Sequence, residues 1–300
     1  MRILLTGTSG QVGGALLPLL RGSHEVLAPS RAELDFSQPE TLATTLDRFK
    51  PDLIINPAAY TAVDRAEDEP ELALRINADA PAELARWAAR HEVPLIHFST
   101  DYVFDGSGET PWREEDHCGP LSSYGRSKWE GEKGIQASGA PQLIIRTSWV
   151  YAAQGTNFLR TMVRLARERD ELRVVADQFG APTSASAIAE TLAMILARNA
   201  SAAELAKDFA AAHGLVHLAN SGRTSWHGFA SAIVEGLKAR GQPVKVRAVH
   251  AITTEEFPTK AVRPANSLLD LSRLREVFGV TTPPWQQALG RELDILVQRG

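Results

Sequence analysis

The chain has 300 residues, 44% of them hydrophobic and 23% charged, which is apolar material enough for one large α/β domain with an appendage or for two domains. A formal net charge of -4 and a pI near 6.1 give no general attraction to nucleic acid or to an anionic membrane; a local basic pocket for a small anion is still compatible with them. The single cysteine, Cys118, permits no internal disulfide and suits a reducing compartment.

The first apolar run, 2–6, is followed by four glycines in the stretch Gly7 to Gly14. They break the run and read as strand, turn and helix rather than as a secretory signal. Further strands are expected at 25–28, 53–56, 95–99, 143–146 and 173–175, with helices around 11–20, 39–49, 71–90, 124–136 and 158–168. Such alternation predicts an α/β fold, a Rossmann-like doubly wound parallel sheet with helices on both faces. Beyond about residue 150 the rhythm loosens. An alanine-rich stretch, 184–212, keeps helical spacing at Ile188, Leu192, Ile195 and Leu196, and a helix over 226–240 and a proline-containing tail follow. The expected division is a cofactor domain over 1–150 and a smaller, mainly substrate-binding portion over 151–300, with some segments returning to the first domain. No uninterrupted apolar stretch approaches the roughly 18 residues needed to cross a bilayer, so a soluble, cytoplasmic protein is expected.

The glycine loop carries the first chemistry. Thr6-Gly7-Thr8-Ser9-Gly10-Gln11-Val12-Gly13 follows a strand and opens a helix, so backbone N–H groups and the helix N-terminus face one point. Gly7, Ser9, Gly10, Gln11, Val12 and Gly13 are therefore candidates for the pyrophosphate of a dinucleotide. The spacing is G-x-x-G-x-x-G rather than G-x-G-x-x-G, and a turn that only packs strand on helix is the alternative. After the second strand the sequence offers Ser30 and Arg31 where an NAD-binding carboxylate would stand. A guanidinium fork pairs with a 2'-phosphate, which favours NADPH over NADH; a solvated surface arginine is the alternative. Asp35 and Phe36 are expected near the adenine, and Ala58, Ala59, Tyr60 and Thr61, after the third strand, along the cofactor.

Tyr124 and Lys128, four residues apart, share one face of a helix. An ammonium held there favours the phenolate and lowers the tyrosine pKa from about 10 toward the range of a working general acid. That acid is what a ketone oxygen needs during hydride transfer. A surface helix that merely carries Tyr and Lys is the bland alternative.

Together these motifs resemble a known family. Thr-Gly-x-x-Gly-x-x-Gly, Asn56-Pro57-Ala58-Ala59-Tyr60-Thr61-Ala62-Val63-Asp64, Ser99-Thr100-Asp101-Tyr102-Val103-Phe104-Asp105-Gly106 and Tyr124-x-x-x-Lys128 are similar to those of the extended short-chain dehydrogenase/reductases. More narrowly, Arg146-Thr147-Ser148-Trp149-Val150-Tyr151, Asp177-Gln178-Phe179-Gly180-Ala181-Pro182-Thr183 and Arg263-Pro264-Ala265-Asn266-Ser267 resemble the dTDP-4-dehydrorhamnose reductases, across nearly the whole chain. The resemblance implies that Tyr124 is the acid, that Lys128 also holds the nicotinamide ribose, and that the Thr100 hydroxyl bonds the substrate oxygen. It further implies that Asp101, Tyr102 and Trp149 line a sugar pocket and that Arg263 lies near the nucleotide part of the substrate. The implied reaction reduces the 4-keto group of dTDP-4-dehydro-L-rhamnose with NADPH or NADH.

In some members glutamates bind magnesium at a dimer interface. The corresponding positions are Ala15, Ser186 and Ile295, which offer at most a hydroxyl to a hard cation. No metal is therefore expected, and a monomer or a weak, metal-independent homodimer is. Another nucleotide-sugar reductase or dehydratase is a rival, although a dehydratase of this superfamily has an acidic residue after Asp101 where Tyr102 stands. A non-catalytic module resembling the regulatory subunit of methionine adenosyltransferase is another.

Overall fold

The structure, a computed structural model, describes residues 1–299. Its centre is a parallel sheet of six strands. Five come in sequence: β1 (Arg2–Leu5), β2 (Glu25–Leu27), β3 (Leu53–Asn56), β4 (Leu95–Thr100) and β5 (Gln142–Thr147). The strand Leu215–His217 adds to the far side of β5, and the order across the sheet is 215–217, β5, β4, β3, β1, β2. β3 and β4 are buried along their whole length, as strands are when helices cover both faces of a parallel sheet, the polar Asn56, His97, Ser99 and Thr100 included.

The two-residue period of a strand sorts the side chains. Ile3, Leu5, Leu53, Ile55, Ile96, Phe98, Leu143 and Ile145 point to one core, which α1 (Gln11–Arg21) and the helix Ala185–Ala197 close. Leu4, Ile54, Leu95 and Ile144 point to the other, under α2 (Leu42–Phe49) and the helical segment 70–91. Leu4 pairs with Ile54 and Ile54 with Leu95, so the in-register residues of neighbouring strands share a face.

The helix expected over 71–90 is present but interrupted: α3 (Pro70–Leu74), a π turn over Arg75–Asp79, and α4 (Ala80–His91). The π turn turns Asn77 inward, where it bonds Tyr60 N (2.8 Å), Tyr60 O (3.0 Å) and Ser127 Oγ (2.9 Å). α5 (Ser123–Ala137) packs directly on this turn. Gly131 allows the approach, since a Cβ there would lie 2.0 Å from Asn77 O.

Three expectations need correction. The strand around 173–175 exists as Glu171–Val175 but lies outside the central sheet, paired in parallel with Ala248–Ile252. Its alternating burial, with Glu171 and Arg173 exposed, marks a half-covered strand rather than a central one. The sixth central strand, Leu215–His217, is too short to read from periodicity; it begins after Gly214, whose φ of +70° turns the chain back into the sheet. The proline-containing tail holds two helices, Ser272–Phe278 and Trp285–Arg299.

A second core lies beyond the carboxyl edge of the sheet, built by Tyr151, Leu159, Phe229, Ile233, Trp285 and Leu293 from the helices Phe158–Glu168, Trp226–Ala239 and Trp285–Arg299. Residues 185–217, in contrast, fold back on the large sheet: the alanine-rich stretch forms two helices, Ala185–Ala197 and Ala202–Ala211, whose Ile188, Leu192, Leu205 and Phe209 belong to the first core. Among the described residues no helix is long and apolar enough to cross a membrane.

Candidate active site

The carboxyl ends of the parallel strands hold the candidate residues, where the crevice of a doubly wound sheet lies. β1 ends in the glycine loop. Gly7 has φ +58° and its Cα faces the loop after β3, so a Cβ would lie 2.9 Å from the Ala58 backbone; a Cβ on Gly13 would lie 2.3 Å from Gly7 O. Gly10 caps α1 without a side chain, leaving the first amides of the helix free for an anion. Ser9 is exposed beside it, while Gln11 and Val12 are half-buried. This geometry fits a dinucleotide pyrophosphate.

At the end of β2, Ser30 N and Oγ both donate to Glu33 Oε2 (2.8 Å each), and Arg31 extends into solvent, 79% exposed, 3.9 Å from Asp35 Oδ1. Among the described residues its guanidinium has no closer partner of opposite charge. The Asp35 carboxylate accepts from Ser37 N and Oγ, which lowers its pKa, and Phe36 is buried in the core beneath the sheet. Ala58 and Ala59 are half-buried and Thr61 is exposed. The Tyr60 hydroxyl donates to Glu69 Oε2 (2.7 Å), and its backbone N–H and C=O are both taken up by Asn77.

Tyr124 and Lys128 start α5, whose N-cap Ser122 accepts from Gly125 N (3.1 Å) and whose first turn is tied to Glu67 through Ser123 N and Oγ. Tyr124 is 9% exposed and meets the edge of the Tyr102 ring, centroids 5.6 Å apart. Burial pushes its phenol above the ordinary value, with the Thr100 hydroxyl pulling the other way. Thr100, the last residue of β4, donates to Asp101 Oδ1 (3.0 Å) and accepts from Tyr102 N (3.3 Å).

The direct coupling of Lys128 to Tyr124 read from their spacing is not made. Lys128 is 1% exposed, and a buried ammonium needs acceptors. It reaches down to β4 instead, donating to Phe98 O (2.7 Å) and meeting His97 Nε2 (3.1 Å). Burial lowers its pKa to about 8.

Asp101 is 2% exposed and burial raises its pKa to about 6. Among the described residues its Oδ2 makes no hydrogen bond, although the Ser267 hydroxyl lies near the carboxylate, and none is made by Ser99 Oγ, Thr147 Oγ1 or Ser148 Oγ. These four buried polar atoms sit at the carboxyl ends of β4 and β5, where Thr100 and Thr147 are in register. Unsatisfied buried groups at this edge leave hydrogen-bonding capacity for a polar ligand.

Trp149 follows β5 with a positive φ of 48°, and its ring lies on Trp226 at 3.6 Å and 11°. Gly180, from the motif 177–183, admits it: a Cβ there would sit 2.6 Å from the indole. Trp226 was not legible as a site residue, because as the first residue of a helix it carries no spacing signal. Arg263 donates to Tyr102 OH (3.4 Å) and pairs with Asp64. Its motif bridges the two lobes, with Asn266 N bonded to Gly106 O (2.9 Å) and Ser267 N to Phe179 O (2.8 Å).

Of the three positions discussed for a metal, Ala15 packs in the first core and Ile295 in the second, while Ser186 Oγ donates to Glu292 Oε1 (2.5 Å). Among the described residues no group of three or more His, Cys, Asp or Glu could hold a metal ion. A groove of about 910 Å³ at the opposite edge of the sheet is lined by Asp47, Trp87 and His91, whose polar groups pair with one another.

Comparison with known proteins agrees with this geometry. Residues 1–298 match the family described as the RmlD substrate binding domain. A dTDP-4-dehydrorhamnose reductase of Burkholderia thailandensis is 45% identical over 292 residues, covering 97% of each chain. The crystal structure of a dTDP-4-dehydrorhamnose reductase from Clostridium acetobutylicum superposes with a TM-score of 0.88 at 36% identity, over 99% of this chain and 100% of that one. The Bacillus anthracis dTDP-4-dehydrorhamnose reductase, solved in complex with NADP, gives 0.87 at 32% identity, over 98% and 99% of the two chains. With a buried Tyr-Lys pair, a glycine loop and a two-lobed crevice on one Rossmann-like sheet, the chain belongs to the RmlD family, that of the dTDP-4-dehydrorhamnose reductases.

Proposed function

We infer that this protein is an NAD(P)H-dependent oxidoreductase that reduces the 4-keto group of dTDP-4-dehydro-L-rhamnose to dTDP-L-rhamnose, the last step in making that nucleotide sugar. The observation that carries the reading is Tyr124, a buried acid beside Thr100, at the edge where buried polar atoms lack protein partners. Relatives spanning nearly the full chain bear the same enzyme name, and one of them was solved with NADP.

Bound NADPH supplies the hydride that reaches the carbonyl carbon. Tyr124 gives its phenolic proton to the carbonyl oxygen in the same step, so the C=O bond becomes CH–OH with charge balanced. With substrate bound, the Thr100 hydroxyl turns its proton from Asp101 Oδ1 to the carbonyl oxygen and so orients that oxygen beside the phenol. Lys128, with a pKa of about 8, is mainly an ammonium at neutral pH; held by His97 and Phe98 O, it offers its remaining N–H to the nicotinamide ribose. Trp149, on its Trp226 support, and Tyr102 wall the sugar pocket, and Arg263 lies at the nucleotide side.

Gly7, Ser9, Gly10, Gln11, Val12 and Gly13 cradle the pyrophosphate, and Ala58, Ala59, Tyr60 and Thr61 flank the cofactor. The exposed guanidinium of Arg31, next to Ser30 and only loosely paired with Asp35, favours NADPH. Residues 1–150 form most of the cofactor domain and 151–300 mainly the substrate part, with 185–217 returning to the cofactor domain. A reaction between NADPH and a nucleotide sugar fits the cytoplasm, and side chains at 15, 186 and 295 without carboxylates favour a metal-independent monomer or weak homodimer. Tyr102 after Asp101 argues against a dehydratase, which needs an acid there.

The test is purified protein with NADPH and dTDP-4-dehydrorhamnose made in situ. Ketosugar-dependent loss of nicotinamide absorbance with one dTDP-L-rhamnose formed per NADPH supports the reading. Cofactor binding without turnover would support a regulatory module instead.

A further inference from the structure

We propose that His97 is the positioning residue of Lys128, its neutral ring accepting from the ammonium and tying it through Asn56 and Thr6 to the loops that hold the cofactor. Its kinetic consequences rest on the reductase reading; the ring's protonation state does not.

Lys128 lies 1% exposed and cannot use the nearest carboxylate. Glu132, one turn on along α5, is held by Arg146 from β5 through contacts of 2.6, 2.9 and 3.2 Å. The groups acting on the ammonium are thus Glu132 from its own helix, whose charge raises the lysine pKa against the burial, and His97 and Phe98 O from β4. Only the last two are within hydrogen-bond distance, at 3.1 and 2.7 Å. Without His97 the buried charge keeps one acceptor.

His97 is fully buried, and burial together with the Lys128 charge holds its pKa well below the ordinary value. The ring therefore remains neutral and carries one proton. If that proton were on Nε2, an N–H would face the ammonium, donor against donor. It belongs on Nδ1, 2.9 Å from Asn56 Nδ2; because Thr6 Oγ donates to Asn56 Oδ1 at 2.6 Å, a proton on Nδ1 requires the Asn56 amide to turn over, its oxygen to the ring and its NH2 to Thr6 Oγ. Thr6 Oγ in turn accepts from Ala58 N (3.2 Å), the backbone that packs on Gly7. The chain of contacts is buried from Lys128 to Thr6 and joins the acid end of the site to the nucleotide loop. A histidine that only filled the core of β4 would require none of this polarity.

Losing an acceptor weakens the ammonium form and moves the Lys128 pKa further down, so any step that needs the charge fails at lower pH. His97→Leu keeps a buried apolar side chain without an acceptor. Its kcat at neutral pH should fall about tenfold or more, with the alkaline limb of kcat against pH displaced to lower pH by about half a unit or more. His97→Gln offers a carbonyl oxygen and should restore the limb and most of kcat. A purely structural histidine would change stability and leave the limb in place.

The decisive measurement uses the full chain with 15N-labelled histidine, the His97 resonances among the eight histidines being assigned by their absence in His97→Gln. From pH 6 to 8 the expected ring is neutral, with the proton on Nδ1 and a bare Nε2. A proton on Nε2, or titration near the ordinary 6.5, would overturn the proposal, and so would a folded His97→Leu with an unmoved pH limb. If His97→Leu does not fold, the tautomer and the His97→Gln profile still decide. Wild-type protein inert toward the ketosugar would sink the reductase reading alone, since the tautomer is read without turnover.

Discussion

Tyr124→Phe removes one oxygen from the site and little else. The ring stays against Tyr102, Ala66 and Ala73, so packing is retained. What is lost to stability is one hydrogen-bonding hydroxyl, about 1 kcal/mol. Loss of the general acid costs turnover far more, about a hundredfold to ten-thousandfold, or about 2.7 to 5.4 kcal/mol of transition-state stabilisation. The two magnitudes separate the roles. The assay follows nicotinamide absorbance in the presence of dTDP-4-dehydrorhamnose, alongside cofactor titration and thermal unfolding of the same preparation. Turnover should collapse while NADPH affinity stays within about threefold and the unfolding midpoint shifts by only a few degrees. Turnover within tenfold of the unmutated enzyme would refute Tyr124 as the proton donor, and the reasoning from its burial with it.

Arg31→Ala should reduce the kcat/KM preference for NADPH over NADH about tenfold, the worth of one charge-assisted contact; equal use of both cofactors by the unmutated protein would sink the Arg31 argument. Asp101 gives a pH signature. Its pKa is raised from 3.8 to about 6, so the folded state holds a proton that the unfolded chain releases between those values, and its contribution is full below pH 3.8 and lost as pH rises through 6. Asp101→Asn should therefore abolish a fall in unfolding free energy of up to about 3 kcal/mol between pH 4 and 6; an identical slope in the variant and the unmutated protein would show that the carboxyl is not perturbed. Activity and sedimentation should be the same with magnesium and with EDTA, because the side chains at 15, 186 and 295 supply no carboxylate. A dimer that dissociates only in EDTA would contradict this.

The five strands that build the sheet up to residue 147 could be read because each is a continuous apolar run between turns, and the glycine loop because Gly7 and Gly13 stand where no side chain fits. What escaped was either too short or too long-range. The strand Leu215–His217 has three residues, no length from which to see a period, and the pairing of Glu171–Val175 with Ala248–Ile252 joins segments with no local signal in common. Tyr124 and Lys128 were legible as neighbours on α5, but where the ammonium points depends on the strand below it. The partners of Lys128 lie on β4, and only the folded chain shows that His97 and Phe98 O take up the charge. Asn77 reached the site through a π turn, a change of helical period that residue spacing does not announce. Trp226 meets Trp149 across the two lobes, a contact between residues 77 positions apart that local pattern cannot foresee.

The central claim, hydride to one carbon and a proton to its oxygen, is tested most directly by following the label. With NADPH carrying deuterium at the transferred position of its nicotinamide, in ordinary water, the product should be dTDP-L-rhamnose with a single deuterium bonded to C4 of the sugar. Product that carries no deuterium at C4, or ketosugar consumed without oxidation of the nicotinamide, would contradict it.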